Sequence, residues 1–280
     1  MKNILTALGK ALCYALLLVA GQFAGTFAAA VCYAAYASIG DYNAHGVLPD
    51  FEPLLQATAD FTMRYATVIA AAGGLCVVLA LWAFFSIRGK RLSVETGWRP
   101  NSARQNMRAG LCGACFAFAV CAALQLLPIP EAMLASYAEA ASETLGAFHP
   151  AILLCTVLLG PIAEEVVFRG LVFTRLRRAM PLWAAAMLSA LLFGVMHGNP
   201  LWIAYATCLG CVLAFVYEKS GGLWASIIFH ILFNFFGSYA MIPLGDSPVM
   251  GITLLILGLF GGGAMLWRMD AEAKTPAADR

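Results

Sequence analysis

Eight apolar blocks, each about 20 residues long, follow one another along the chain with polar breaks between them. They fall at roughly 11–37, 63–86, 111–129, 151–174, 182–198, 201–217, 222–242 and 248–267. This is the length that crosses a hydrocarbon core of about 30 Å at about 1.5 Å per residue. Inside lipid a backbone must satisfy its own hydrogen bonds, so blocks of this kind fold as helices. The expected architecture is an all-α, polytopic transmembrane bundle of about eight helices, with residues 1–280 forming a single membrane domain. A charged fraction of 11%, against about 25% in soluble domains, agrees with that reading. The net charge of +2 gives no reason to expect nucleic acid as a partner. The nine cysteines are scattered through the apolar blocks, where a thiol behaves as a small hydrophobe. Neither a disulfide framework nor a metal knuckle at Cys112/Cys115 or Cys208/Cys211 is expected.

The charges are sorted along the chain. With the N-terminus in the cytoplasm, Lys2, Lys10, the run Arg88, Lys90, Arg91, Arg99, Arg104 and Arg108, then Arg169, Arg175, Arg177, Arg178, Lys219, Arg268, Lys274 and Arg280 all fall on the inner side. Arg64 alone falls outside, among Asp41, Asp50, Glu52, Asp60, Glu131, Glu139, Glu143 and Asp246. This asymmetry obeys the positive-inside rule and predicts both termini in the cytoplasm. The first block follows Lys2 and Lys10 but exceeds a signal-peptide core of about 7–15 residues, so it reads as a retained helix. Residues 38–62 read as a long outer connection and 87–110 as a basic inner one; 131–147 has the composition of a short interfacial helix outside the membrane. The expected location is a bacterial inner membrane, with the lipid bilayer as the surrounding partner.

Polar groups embedded in lipid are costly and mark function, about 2.5–3.5 kcal/mol for a central charge on insertion scales. Here they are Glu164, Glu165 and Arg169 in the fourth block, His197 at the end of the fifth, and His230 and Asn234 in the seventh. Residues four apart share a helical face, whereas neighbours diverge by about 100°. Glu165 therefore pairs with Arg169, His230 lies over Asn234, and Glu164 points elsewhere as a free carboxylate. Phe193, four before His197, sets an aromatic wall beside that imidazole. These groups lie on the order of 13–25 Å from the inner ends of their helices, so they meet if the fourth, fifth and seventh helices are neighbours. A carboxylate beside an imidazole can hold and deprotonate a water. A second imidazole with an amide can donate to the oxyanion of a tetrahedral intermediate.

The segment Pro161-Ile-Ala-Glu164-Glu165-Val-Val-Phe-Arg169-Gly170 resembles the EExxxR motif of the CPBP family, the CAAX proteases and bacteriocin-processing enzymes. Phe193-Gly-Val-Met-His197 is similar to its FxxxH motif and His230-Ile-Leu-Phe-Asn234 to its HxxxN motif. The resemblance covers roughly residues 150–240, the expected catalytic core. It implies an intramembrane endopeptidase acting on a membrane-associated peptide or lipidated protein. By that analogy Glu164 activates water with His197, His230 and Asn234 form the oxyanion site, and Glu165, Arg169 and Phe193 support them. No cofactor is expected; zinc, if present, would take Glu164, His197 and His230, although the HExxH helix of many zinc proteases is absent.

Two readings from other classes compete. A proton-coupled transporter could use Glu164, His197 and His230 as a relay, but the chain shows no inverted repeat or matched pair of broken helices. A catalytically inert scaffold or immunity protein would not require intact motifs. Serine and aspartyl chemistry is disfavoured, since the helices hold neither GxSxG nor a pair of Asp residues.

Overall fold

A computed structural model gives the architecture of residues 2–145, 150–238 and 247–274, which are the described residues; the expected end of the seventh span at 242, Asp246 and Arg280 lie outside them. The elements are α1 (Lys2–His45), α2 (Phe51–Arg64), α3 (Ala66–Ile87), α4 (Leu92–Glu95), α5 (Ala103–Leu126) and α6 (Glu131–Leu145). They continue with α7 (Pro150–Arg177), α8 (Leu182–Val195), α9 (Pro200–Ser220), α10 (Leu223–Ser238) and α11 (Pro248–Lys274). Helices α1, α3, α5, α7, α9 and α11 are long and apolar enough to cross a membrane, and α8 and α10 are shorter apolar helices. Each expected block thus has its helix, and the chain is an integral, multi-pass membrane protein.

Two boundaries differ from expectation for identifiable reasons. Residues 38–62 are not an irregular connection: α1 runs on to His45, and Phe51–Arg64 forms the separate helix α2, whose Phe61 stacks on Tyr33 of α1 at 4.3 Å. The polar residues that ended the apolar block end its hydrophobicity but not its helix propensity. At the fifth block, α8 stops at Val195, so His197 sits in the turn that follows. Gly198 takes φ +73°, and the Asn199 side chain accepts the Leu201 N–H at 3.0 Å, with Pro200 opening α9. A left-handed glycine, an asparagine cap and a first-turn proline together close one helix and start the next.

The bundle is organised around α7, which packs against α1, α3, α8 and α10. Its segment Val166–Phe173 is buried on every side. Two stretches of α7, Cys155–Leu159 and Val166–Phe173, widen to the π-helical register and flank the α-helical turn Gly160–Glu165. Such widenings are rare and concentrate at functional sites. Around this axis α1 packs on α3, α8 on α9, and α5 on both α10 and α11. Large apolar side chains such as Phe23, Phe27, Phe260 and Trp267 point outward, as a lipid-facing surface requires. All nine cysteines are free.

Small residues bring the helices close, since in lipid association depends on packing rather than on the hydrophobic effect. A Cβ on Gly73 of α3 would stand 2.7 Å from the Gly21 carbonyl oxygen of α1. A Cβ on Gly113 of α5 would overlap the Phe229 backbone of α10, whereas Gly9 has open space around it.

The two ends of the bundle differ in chemistry. At one end Glu95 pairs with Arg175 and, at 3.5 Å, with Lys90; Arg177 meets Glu218 at 3.0 Å and Lys219 meets Asp270 at 2.6 Å. Burial pushes the Glu95 carboxyl up, but Arg175 and Lys90 outweigh it and hold the carboxyl below its usual range. The basic connection is also folded onto the bundle: Arg99 Nε donates to the Gly221 carbonyl at 2.6 Å and Asn101 Nδ2 to the Ser220 carbonyl at 2.8 Å. Much of its charge is therefore engaged by protein.

Gly113→Val should destabilise the α5–α10 contact by about 1–3 kcal/mol, the usual cost of overpacking. Denaturant unfolding in detergent micelles measures this, with Gly9→Ala expected to unfold like the parent; equal stability of the two variants would contradict the packing described.

Candidate active site

Glu164 and Glu165 close the α-helical turn of α7 between its two π-helical stretches, and their side chains diverge as expected. Glu165 is fully buried, while Glu164 keeps 25% of its side chain exposed. Arg169 Nη1 stands 2.9 Å from Glu165 Oε1, yet none of the guanidinium nitrogens makes a well-directed hydrogen bond among the described residues. The pairing is ionic rather than directional. The guanidinium also lies 4.5 Å over the Phe193 ring, a cation–π contact of about 2 kcal/mol where water is excluded.

The same Glu165 oxygen has a second partner. His230 Nδ1, from α10, is 3.0 Å away. Because an ionised carboxylate only accepts, Nδ1 carries the proton in this bond. The imidazole is thereby oriented with Nε2 toward Glu164, 3.8 Å from its Oε2. That is too long for a direct hydrogen bond but suits a single oxygen atom shared by both groups. The α7–α10 link through His230 was invisible to helical spacing, which relates residues only within one helix.

Asn234, one turn beyond His230, donates from Nδ2 to the Thr156 carbonyl at 3.0 Å. The availability of that carbonyl follows from the sequence of α7. In the widened register the Gly160 N–H reaches back five residues to the Cys155 carbonyl. The next donor in this register would be residue 161, a proline without an N–H. Thr156 O is left for Asn234, whose amide is held there by one N–H and keeps a second donor.

His197 Nδ1 lies 3.0 Å from the Phe193 carbonyl, which as an acceptor places the proton on Nδ1 and leaves Nε2 with its lone pair. Phe193 stands between the two imidazoles, edge-on to His197 at 4.8 Å and to His230 at 5.8 Å. Its wall-like role was legible from the four-residue spacing; its contact with Arg169 was not.

All four expected reacting groups, Glu164, His197, His230 and Asn234, line one cavity of about 800 Å³. Its remaining wall is largely apolar and includes Tyr137 of α6 and Trp202, Tyr205 and Phe233. Among the described residues no three His, Cys, Asp or Glu side chains come together as a group able to hold a metal ion.

Residues 146–236 match the family described as type II CAAX prenyl endopeptidase Rce1-like. This span contains every candidate site residue, from Glu164 to Asn234. Over that span the chain is similar to the CAAX proteases. It is 29% identical over 87 residues to a Bacillus subtilis protein named "Putative membrane peptidase YdiL" and 31% identical over 84 residues to an Escherichia coli protein named "Uncharacterized 24.3 kDa protein". These matches cover 36% and 39% of the relatives and 31% and 28% of this chain, so well under half of either relative is spanned. No solved structure matches the chain significantly. The family likeness thus falls on the helices that carry Glu164, His197, His230 and Asn234, and α1–α6 lie outside it.

Removing Glu165 strands a buried guanidinium, so Glu165→Ala should lower the unfolding free energy by about 3–5 kcal/mol. The double variant Glu165→Leu/Arg169→Met should recover most of that loss, since an apolar pair of similar volume needs no counter-charge. Thermal and denaturant unfolding in micelles measures both; equal destabilisation of the two would show that the ion pair does not govern stability here.

Proposed function

We propose that this protein is an intramembrane endopeptidase that hydrolyses a peptide bond of a membrane-associated protein or peptide, using a glutamate-activated water. The observation that carries the reading is the pairing of a part-exposed Glu164 with a fully buried Glu165 on one turn of α7, both directed at His230. Two adjacent carboxylates in unlike surroundings suit two different tasks. Glu164 faces the cavity and can take a proton from water; Glu165 holds an imidazole in place.

In the proposed reaction a water lies against Glu164, with His197 Nε2 as its second acceptor. Its oxygen attacks the scissile carbonyl carbon while Glu164 takes the proton. The resulting oxyanion is received by an N–H of Asn234 and by Nε2–H of His230, whose Nδ1 is held by Glu165. Collapse of the intermediate breaks the C–N bond, and the proton on Glu164 passes to the leaving amine. Arg169 and Phe193 act by holding Glu165 and the two rings. No step runs through a metal. The substrate in this reading is a membrane-associated peptide or lipidated protein and the location a bacterial inner membrane; the charge asymmetry supports an orientation with both termini cytoplasmic.

Purified protein in lipid nanodiscs, offered a pool of membrane-anchored fluorogenic peptides, tests this reading. Glu164→Gln should abolish cleavage while the protein stays folded, and Asn234→Ala should lower kcat about 10²–10³-fold with little change in KM. A metal chelator should leave wild-type turnover unchanged. Wild-type rates in Glu164→Gln would remove the proposed base.

A further inference from the structure

The helices alternate in direction, so the position of each cavity residue along its helix fixes which end of the bundle the cavity occupies. The cavity uses Ala66–Gly74 at the start of α3, Ala117–Gln125 at the end of α5, and Cys155–Glu164 in the first half of α7. It continues with Phe193–His197 at the end of α8, Trp202–Leu209 at the start of α9, and His230–Ser238 in the second half of α10. These segments lie in the half of the bundle that bears α6, and Leu18 and Gln22 reach the cavity from the middle of α1, Leu18 beside Gly74. The other half is filled by the buried Val166–Phe173 segment and ends in the ion-paired cluster of Lys90, Glu95, Arg175, Arg177, Glu218, Lys219 and Asp270.

The cationic end therefore lies opposite the cavity. Arg88, Lys90, Arg91, Arg99, Arg104 and Arg108 belong to it, as do Arg175, Arg177 and Arg178, whereas the cavity end carries Asp41, Asp50, Glu52, Asp60, Glu131 and Glu139 against the single base Arg64. Short basic connections are retained in the cytoplasm. Helix α6 also seals the side of the cavity at its acidic end, with Ser136 accepting from Asn199 Nδ2 at 3.2 Å and Tyr137 edge-on to Trp202 at 5.9 Å.

From this juxtaposition we infer that the site is served from the outer face of the membrane, and that its substrates are membrane-anchored polypeptides whose scissile segment lies in or just beyond the outer leaflet. The inference rests on the endopeptidase reading for the reaction, but not for the sidedness. It separates this chain from a protease working on the cytoplasmic tails of lipidated proteins. The occupant must be an extended, mainly apolar peptide stretch, because the cavity wall is largely apolar and offers aromatic faces at Tyr137, Trp202, Tyr205 and Phe233. A segment reaching the site from the cytoplasm would have to pass Val166–Phe173, whose residues are packed on all sides.

Two measurements on the full chain separate sidedness from activity. In a variant with the native cysteines replaced by alanine or serine, Gln125→Cys lines the cavity and Arg104→Cys marks the cationic end. A membrane-impermeant sulfonated maleimide should label Gln125→Cys in intact spheroplasts and Arg104→Cys only in inverted vesicles. If the cysteine-free protein does not fold, epitope insertions after Ile129 and after Arg178 in the native-cysteine chain report the same two ends by antibody access. The second measurement maps new polypeptide termini in membranes of cells producing the wild type or Glu164→Gln. Termini lost in the variant should lie on outward-facing flanks of membrane-anchored proteins. Labelling of Gln125→Cys, or of the Ile129 epitope, from the cytoplasmic side would overturn the inference and leave the proteolytic reading standing, as would variant-sensitive termini confined to cytoplasmic tails. Outward labelling with no variant-sensitive termini would instead overturn the proteolytic reading and the substrate class with it.

Discussion

One carboxylate oxygen, Glu165 Oε1, is shared by Arg169 from its own helix and His230 from α10 at 2.9 and 3.0 Å, with Glu165 itself fully buried. Arg169 is buried as well, and a guanidinium in so dry a setting requires that counter-charge. The shared oxygen fixes α7 against α10, turns the His230 ring so that Nε2 faces Glu164, and holds Arg169 where it can lie over Phe193. Phe193 in turn stands against both imidazoles. The placement of His230 and of the Phe193 ring beside His197 thus traces back to this contact, directly or through one ring.

Asn234 is placed by a different device. The widened turn Cys155–Leu159 and Pro161 together leave the Thr156 carbonyl without a backbone donor, and the Asn234 amide uses it. An unsatisfied carbonyl in lipid would be destabilising; here the helix irregularity is compensated by a side chain that the site needs. The irregularity of α7 and the orientation of the amide are thus one feature.

Much of this was legible before any coordinates. Apolar block length located each long helix, because a bilayer tolerates few other solutions. The four-residue spacings put Glu165 with Arg169 and separated Glu164 from them, and the Phe193–His197 spacing set an aromatic ring beside an imidazole. What stayed hidden lies between helices or in backbone register. Nothing in the spacing of α10 says that His230 reaches Glu165 rather than Glu164 alone. Pro161 was read as part of a motif, but its effect on Thr156 needs the π-helical register, which sequence periodicity does not reveal. Helix α2 was missed because its residues are too polar to count as a membrane block, although they form helix readily. The gathering of the cavity into the α6-bearing half needed both the helix directions and the lining residues together.

The central claim is that Glu165 holds His230 by its Nδ1–H and so presents Nε2 to Glu164 and the cavity. Nitrogen-15 magnetic resonance of protein labelled at histidine tests it most directly, since the chain has only 4 histidines and the His230→Gln variant identifies the signal. A protonated Nδ1 resonance with the shift of a strong hydrogen bond to a carboxylate, lost or moved in Glu165→Gln and retained in Glu164→Gln, is the predicted result. A bare Nδ1 in the wild type, or a signal that ignores Glu165→Gln, would contradict the account.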